Sequence, residues 1–239
     1  SKSNYQVYSK SKVESIHVSL QNTLIEGKFT VKYLGVYIDE NLKWRSQISH
    51  VSKIVSRNLG IMGRVKYYVS SRELLFLYNT LVLPHLNYCA LVWGNNYATN
   101  IKEIEILQKR ALRIISKKPY LHPTNELFIT HRLLKFKDIV REQSIMVLLA
   151  HINGNLPEPL SNLFKYEERK QIRNPKHFAV PLAVRNYKSF AISCSAPRNW
   201  NHIVCSLYAS FDLVPKNKMT LKKKLRSYFI EEYTKAVTH

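Results

Sequence analysis

Residues 45–66, RSQISHVSKIVSRNLGIMGRVK, carry apolar side chains at Ile48, Val51, Ile54, Val55, Leu59, Met62 and Val65. Steps of three and four place these on one helix face, with Lys53, Arg57, Arg64 and Lys66 at the other positions. The stretch predicts a long amphipathic helix with a basic outer side. Toward the C-terminus, Ser70 and Glu73 have capping-box spacing, and Leu74, Leu77, Tyr78 and Leu81 extend a second helix to a break at Pro84. His85 to Trp93 is short, aromatic and apolar, a buried connector or helix that Gly94 and Asn95 end. Asn100 with Glu103 opens a third helix, turning Ile104, Leu107, Ala111, Leu112 and Ile115 inward and Lys102, Lys109, Arg110 and Arg113 outward. Pro123 and Thr124 introduce helical pattern to about Ile152, where Asn153-Gly154 supplies a stop.

The flanks of this centre have other periods. From Val13 to Asp39 the pattern is strand-like: Ile16, Val18 and Leu20 alternate with polar residues, Gln21-Asn22-Thr23 suggests a turn, and Phe29, Val31, Tyr33 and Leu34 resume a β-rich run. Such an edge needs a pairing partner, in this chain or N-terminal to it. Residues 155–176, with Pro157, Pro159, Pro175 and a charge cluster from Lys165 to Arg173, read as a surface linker. Phe178 to Ile192 then alternates like a strand, and Thr220 to Tyr233 forms a last amphipathic helix with Leu221, Leu225, Tyr228 and Phe229 on one side. The expected class is α+β, predominantly helical: a short β-hairpin edge in 1–44, a helical bundle in 45–154 and a smaller mixed α/β lobe in 155–239.

Lys and Arg number 37 against 16 Asp and Glu, a formal charge of +21 in 239 residues. Residues 1–119 hold 18 basic and 7 acidic side chains and residues 120–239 hold 19 and 9, so the excess belongs to the body of the chain and not to a tail. Self-repulsion at that charge disfavours compaction, which points to a polyanionic partner, nucleic acid before a membrane surface. Cys89, Cys194 and Cys205 are too few and too scattered for a disulfide framework, which suits a reducing compartment, nuclear or cytoplasmic. No apolar run reaches the roughly 18 residues of a spanning helix, and residues 1–12 lack the apolar segment of a signal peptide. The chain begins with Ser, and the expectation is a piece of a longer polypeptide.

Chemistry-bearing patterns are sparse. Asp39, Asp138 and Asp212 lie far apart in segments of different period, a poor basis for the carboxylate pair that binds two metal ions in phosphoryl transfer. Cys194, His202 and Cys205 offer three ligands without a close Cys pair, so zinc spacing fails. Trp44, Trp93 and Trp200 neighbour apolar residues and read as core before they read as base-stacking groups. Lys222-Lys223-Lys224 with Arg226 either touch RNA or solvate the last helix.

Lys32-Tyr33-Leu34-Gly35-Val36-Tyr37-Ile38-Asp39, followed by Leu42-Lys43-Trp44, resembles the Y-L-G-V-x-I-D-x-x-L-x-W segment of LINE-type, jockey-like reverse transcriptases from retrotransposons without long terminal repeats. In the same order, Leu77-Tyr78 with Pro84, Leu86, Tyr88 and Val92-Trp93-Gly94 resembles their L-Y-x-x-L-x-x-P-x-L-x-Y-x-x-x-V-W-G stretch. Leu107-Gln108-Lys109-Arg110-Ala111-Leu112-Arg113 resembles their Q-K-R-A-x-R helix. Leu156-Pro157, Pro197-Arg198-Asn199-Trp200-Asn201 and the Lys-rich last helix resemble later elements, and Lys2-Ser3 the end of an L-N-x-x-K-[ST] segment.

The resemblance implies the C-terminal part of an RNA-directed DNA polymerase: the end of the palm with a primer-grip hairpin (Tyr33, Leu34, Gly35), a thumb, and an extension. It implies as partners an RNA template and DNA primer or their hybrid, and the upstream palm and fingers of the same polypeptide. The Mg2+ ions and paired aspartates of that family belong to the palm, so this chain is expected to need no cofactor and to be inactive alone. A glycine at 35 either lets a phosphate approach or marks a strand bulge, and Tyr33 and Tyr37 are candidates to pack on a sugar or base. Lys53, Arg57, Arg64, Lys66, Lys109, Arg110, Arg113, Lys117 and Lys118 are the candidate phosphate contacts, because cations on helix faces neutralise phosphates without reading sequence. The competing expectation is a stand-alone binding or scaffold remnant of a decayed element.

Overall fold

A computed structural model describes residues 4–8, 18–20, 23–166, 177–183, 186–208 and 213–238. Ile16, the Lys2-Ser3 match, Arg173, Pro175 and Asp212 lie outside them. The N-terminal strands β1 (Asn4–Tyr5), β2 (Val18–Leu20) and β3 (Thr23–Gly27) form a small sheet in the order β1-β3-β2, with β1 parallel and β2 antiparallel to β3. A separate hairpin pairs β4 (Thr30–Tyr33) with β5 (Val36–Asp39), Thr30 opposite Asp39 and Tyr33 opposite Val36.

The apolar stripe of residues 45–65 forms α1 (Arg45–Val65) and buries Ile48, Val51, Val55, Leu59 and Met62. The Ser70–Glu73 capping box is present: Ser70 N–H donates to the Glu73 carboxylate (2.6 Å) and Glu73 N–H to the Ser70 hydroxyl (3.3 Å), opening α2 (Ser71–Leu81). Pro84 sits in the first turn of α3 (Leu83–Asn87), where a missing N–H costs nothing. α4 (Ala90–Trp93) follows after a joint at Cys89, whose φ is 49°. The next helix, α5 (Ala98–Ile115), begins two residues before the expected Asn100. Asn96 makes the start instead, its side-chain oxygen accepting from Tyr97 N–H (2.7 Å) and from the Asn100 amide (3.1 Å).

Helical pattern from 123 to 152 divides into α6 (Asn125–Thr130) and α7 (Phe136–Ile152). The break is a Schellman closure, Leu133 N–H to Phe128 O and Arg132 N–H to Ile129 O, with Arg132 at φ 51°. Asn153-Gly154 does stop α7, through Asn155 N–H to Ala150 O and Gly154 N–H to His151 O, with Gly154 at φ 69°. Beyond it come α8 (Glu158–Ser161), α9 (Asn186–Phe190), α10 (Ile192–Asn199), a π-helical turn (Trp200–Val204), α11 (Cys205–Leu207) and α12 (Lys218–Thr238). The π turn follows Pro197, which lies inside α10 and removes an amide from its ladder.

The strand expected from Phe178 to Ile192 is not formed. Phe178 makes one bridge to Tyr166, and the side chain of Asn201 then takes the place of a neighbouring strand by accepting from Phe178 N–H (3.0 Å) and donating to Phe178 O (2.8 Å). Among the described residues of the C-terminal lobe the regular structure is therefore helical apart from that bridge. Phe164, in the stretch expected as a surface linker, is 5% exposed and packs into the core.

Two apolar clusters meet at α7. Phe136 and Val140 join α1 to α5 around Trp93, while Ile139, Ile145, Leu148 and Leu149 join α10, the π turn and α12 around Trp200. This second core runs from Leu112 to Tyr233, across residue 155. Its polar fastening is Asp138, 1% exposed, which accepts a very short hydrogen bond from the Tyr233 hydroxyl and is paired with Arg141 (3.0 Å). Gly94 sits where α4 and α7 meet. A Cβ there would lie 2.6 Å from the Ala90 carbonyl oxygen, 2.7 Å from Val140 Cγ2 and 3.0 Å from Phe136 Cζ. Gly94→Ala must push the helices apart, and an expected loss of about 1–3 kcal/mol, typical of overpacking, is checked by the urea unfolding midpoint.

Candidate nucleic-acid interface

Tyr33, Leu34 and Gly35 form the tip of the β4–β5 hairpin. The two turn residues, Leu34 and Gly35, both have positive φ (45° and 81°), the signature of a type I′ turn. Gly35 is thus required by the turn's backbone, not by a bulge, and its α-carbon also faces the Tyr88 ring, 3.4 Å from where a Cβ would stand. Tyr88, from the α3–α4 joint, donates its hydroxyl to Leu34 O (2.6 Å) and fixes the turn to the helices. Tyr33 and Leu34 remain 63% and 75% exposed. A leucine held at positive φ in water is a strained, costly choice that packing does not explain.

The rest of the hairpin faces α1. Val36 is buried, Tyr37 N–H donates to the side-chain oxygen of buried Gln47 (2.9 Å), and the Tyr37 ring lies against His50 (centroids 4.8 Å) with Lys32 Nζ 5.4 Å from it. Tyr37, expected as a sugar or base contact, is thereby committed to the protein. Asp39 is committed as well, its carboxylate accepting from Lys43 N–H (2.9 Å) and Trp44 N–H (2.7 Å) at the entry to α1.

On α1, Lys53, Arg57 and Arg64 are exposed and project from the side opposite the buried stripe. Burial lowers the pKa of His50, and the positive charges of Lys32, His85, Arg57 and Lys53 lower it further. The hairpin and the first half of the α1 stripe thus converge on one positive region. α5 repeats the arrangement: Lys102, Lys109 and Arg110 are exposed opposite Ile104, Gln108, Ala111 and Ile115.

The two helices pack together, and their starts are tied by the Asn96 amide donating to Lys43 O (3.0 Å). Packed side by side from that start, they finish at the same end of the helical body, where Val65 and Ile115 belong to one apolar cluster. The Ser70 hydrogen bonds hold the Glu73 carboxyl below its ordinary range, and Lys117, at the end of α5, adds to the effect across the gap to α2. α5 ends in a Schellman closure with Lys117 in the glycine-like position, φ 53°, a placement costing about 1 kcal/mol for a residue with a side chain. Arg113 donates to His122 O (2.9 Å) and lies over the Tyr120 ring (5.6 Å), and Lys66 lies over the Tyr67 ring (4.7 Å). Cations at the last turns also complement the helix dipoles, about 0.3–1 kcal/mol each.

The nine candidate cations therefore lie along α1, along α5 and in the residues just past the two helices, with the hairpin at the end where both helices start. The structure does not add the Lys-rich last helix to them as a set: Arg226 Nε (2.8 Å) and Lys222 Nζ (3.8 Å) pair with the buried carboxylate of Glu142, leaving Lys223 and Lys224 exposed. Trp93 and Trp200 are fully buried and Trp44 partly so, which makes them packing residues. Sequence reasoning named Tyr88 only as part of the resemblance and not as a residue that orients the hairpin, and it missed Gln47, which does the same, and the exposed Tyr67, Tyr68 and Tyr120. The first two act over long sequence separations that no local pattern records.

Among the described residues no group of three or more His, Cys, Asp or Glu is arranged to hold a metal ion. Asp39 is taken up by backbone amides and Asp138 by Tyr233 and Arg141, so neither fits a two-metal carboxylate site. Among the described residues no helix is long and apolar enough to cross a membrane.

Part of the chain is 28% identical over 130 residues to the RNA-directed DNA polymerase from mobile element jockey of Drosophila funebris, covering 52% of this chain and 14% of that protein. It is 28% identical over 116 residues to the polymerase of the same name from Drosophila melanogaster, covering 46% and 12%. The chain is similar to these jockey polymerases over about half its length and spans only a small part of theirs. No family model matches it. No solved structure matches it.

Proposed function

We propose that this chain is the thumb and C-terminal extension of a retrotransposon reverse transcriptase, and that it grips template and primer through phosphate contacts while chemistry occurs elsewhere in a longer polypeptide. The observation that carries this reading is the pair of basic stripes on α1 and α5, set opposite the buried faces of two helices that pack together and are tied at their starts. Lysines and arginines on such faces neutralise successive phosphates and read no sequence. The two helices pack along a shared apolar core, which holds the cations at fixed spacings along each helix for a nucleic-acid backbone to meet.

Residues 1–44 are then the end of the palm, 45–154 the thumb and 155–239 the extension. Tyr33, Leu34 and Gly35 form the primer grip, with the strained exposed Leu34 presented to the primer end. The chain's own contribution is positioning, which raises the effective concentration of a primer terminus at a reaction centre. The Mg2+ ions of such a polymerase belong to residues upstream of this segment, and no step of phosphoryl transfer is assigned to Asp39 or Asp138. The working compartment is the nucleus or the cytoplasm, where RNA and DNA are met together.

Equilibrium binding at one fixed salt concentration tests the reading. The chain is expected to bind an RNA–DNA hybrid more tightly than single-stranded RNA or duplex DNA of equal length. Equal affinity for all three, or no binding, would mean that the stripes do not form a groove shaped for the hybrid.

A further inference from the structure

We propose that the far end of the helical body, where Tyr67, Tyr68 and Tyr120 stand among Lys66, Arg113 and Lys117, binds unpaired nucleotides by stacking their bases on the tyrosine rings. The inference rests on the nucleic-acid reading above and names a different part of the ligand, a single strand leaving the hybrid. The three tyrosines are 76%, 89% and 73% exposed, although tyrosine is a large, partly apolar side chain that a folded protein ordinarily packs. They lie in the connections after α1 and after α5, which leave the helical body at the same end because the two helices pack side by side from starts tied by Asn96 and Lys43 and α2 also packs on α5. Tyr67 and Tyr68 follow α1, with Tyr68 N–H bonded to Val65 O, and Tyr120 occupies the tight turn closed by His122 N–H to Pro119 O.

Two rings already carry a cation, Lys66 on Tyr67 (4.7 Å) and Arg113 on Tyr120 (5.6 Å), and Arg113 is held in place by its bond to His122 O. Lys117 lies close enough to the start of α2 for its charge to help hold the Glu73 carboxyl below its ordinary range, after the Ser70 hydrogen bonds. That carboxylate, the acidic group at this end, is already engaged by Ser70. Exposed rings interleaved with cations are what a single strand requires, since every base has a face to stack and every link a phosphate to neutralise. A paired duplex offers its bases only at the edge, so the rings have no use for it. An acidic protein partner would use the cations and leave the rings idle.

The test compares affinities for a blunt RNA–DNA hybrid, the same hybrid with a short single-stranded template overhang, and the overhang strand alone. In the unmodified chain the overhang is expected to raise affinity about tenfold or more, the scale of one or two stacked bases. The combined variant Tyr67→Ala, Tyr68→Ala, Tyr120→Ala should lose that increment and keep its affinity for the blunt hybrid. The matching Phe variant should retain it, because stacking needs the ring and not the hydroxyl. An overhang without effect, an increment that survives in the Ala variant, or one lost equally in the Phe variant would overturn the proposal. Tyrosine-dependent binding of the strand by a chain that ignores the blunt hybrid would support it and overturn the hybrid grip. Binding to none of the three would overturn both.

Discussion

Gln108→Leu is expected to destabilise the protein by about 3–5 kcal/mol, the largest effect of any single change considered for this fold. Gln108 is 2% exposed on α5 and bonds in three directions. Its amide donates to the Tyr78 hydroxyl (3.1 Å) on α2 and to Leu134 O (2.8 Å) in the α6–α7 connection, and its oxygen accepts from Phe136 N–H (2.9 Å) at the start of α7. The last of these satisfies an amide that α7 itself leaves without an intrahelical partner. Leucine fills similar space and removes every bond, leaving a carbonyl, an amide and a phenol buried, each costing about 1–3 kcal/mol. Burial pushes the Tyr78 phenol up to about 12 even though the Gln108 hydrogen bond pulls it down, which shows how little water reaches it. Urea unfolding should show a lower midpoint with an unchanged slope. A midpoint shift below about 1 kcal/mol equivalent would mean that the three bonds are replaced when the side chain is lost.

Neutralising the stripes should act on binding and spare stability. Replacing Lys53, Arg57, Arg64, Lys109 and Arg110 together by Gln is expected to weaken hybrid binding about a hundredfold at moderate salt, since each removed cation leaves a phosphate with its counterion. All five are exposed and engage no buried partner among the described residues, so the unfolding midpoint should stay nearly constant. It should even rise slightly, because a chain of charge +21 repels itself less when five positive charges are removed. Fluorescence anisotropy with a labelled hybrid measures the first effect and urea unfolding the second. Unchanged affinity would remove these residues from the interface.

The contrast between these variants shows what the sequence records and what it hides. α1, the Ser70–Glu73 capping box and the Gly154 stop are local patterns within a few residues, and they are legible without any partner. The start of α5 at Asn96 and the break between α6 and α7 rest on local side-chain and backbone bonds that apolar periodicity does not mark, while the joining of α5 to α7 and the replacement of a strand at 178–192 depend on bonds across long separations. Gln108 reaches Phe136 and Asn201 reaches Phe178, 28 and 23 residues away. Segment periodicity contains no term for them.

The residues that carry the family resemblance divide the same way. Asp39, Gln108, Trp93, Gly94, Trp200 and Asn201 are spent on the protein's own structure: an entry to α1, a three-way buried bond, two core rings, a close helix crossing and a backbone clamp. The candidate interface was visible as helical stripes because an outward face has a period. The tyrosines at the far end were not, because connecting turns have none, and only their exposure in the fold makes them conspicuous.

The central claim is that the basic charge is organised to hold a nucleic-acid backbone, and the salt dependence of hybrid binding by the unmodified chain measures it most directly. Affinity should fall linearly in log salt with a slope corresponding to several phosphates, about 0.9 for each one neutralised on a B-form duplex and somewhat different for a hybrid. A shallow slope, near that of one or two contacts, would contradict the account: the charge would then be dispersed over the surface, and α1 and α5 would not form a grip.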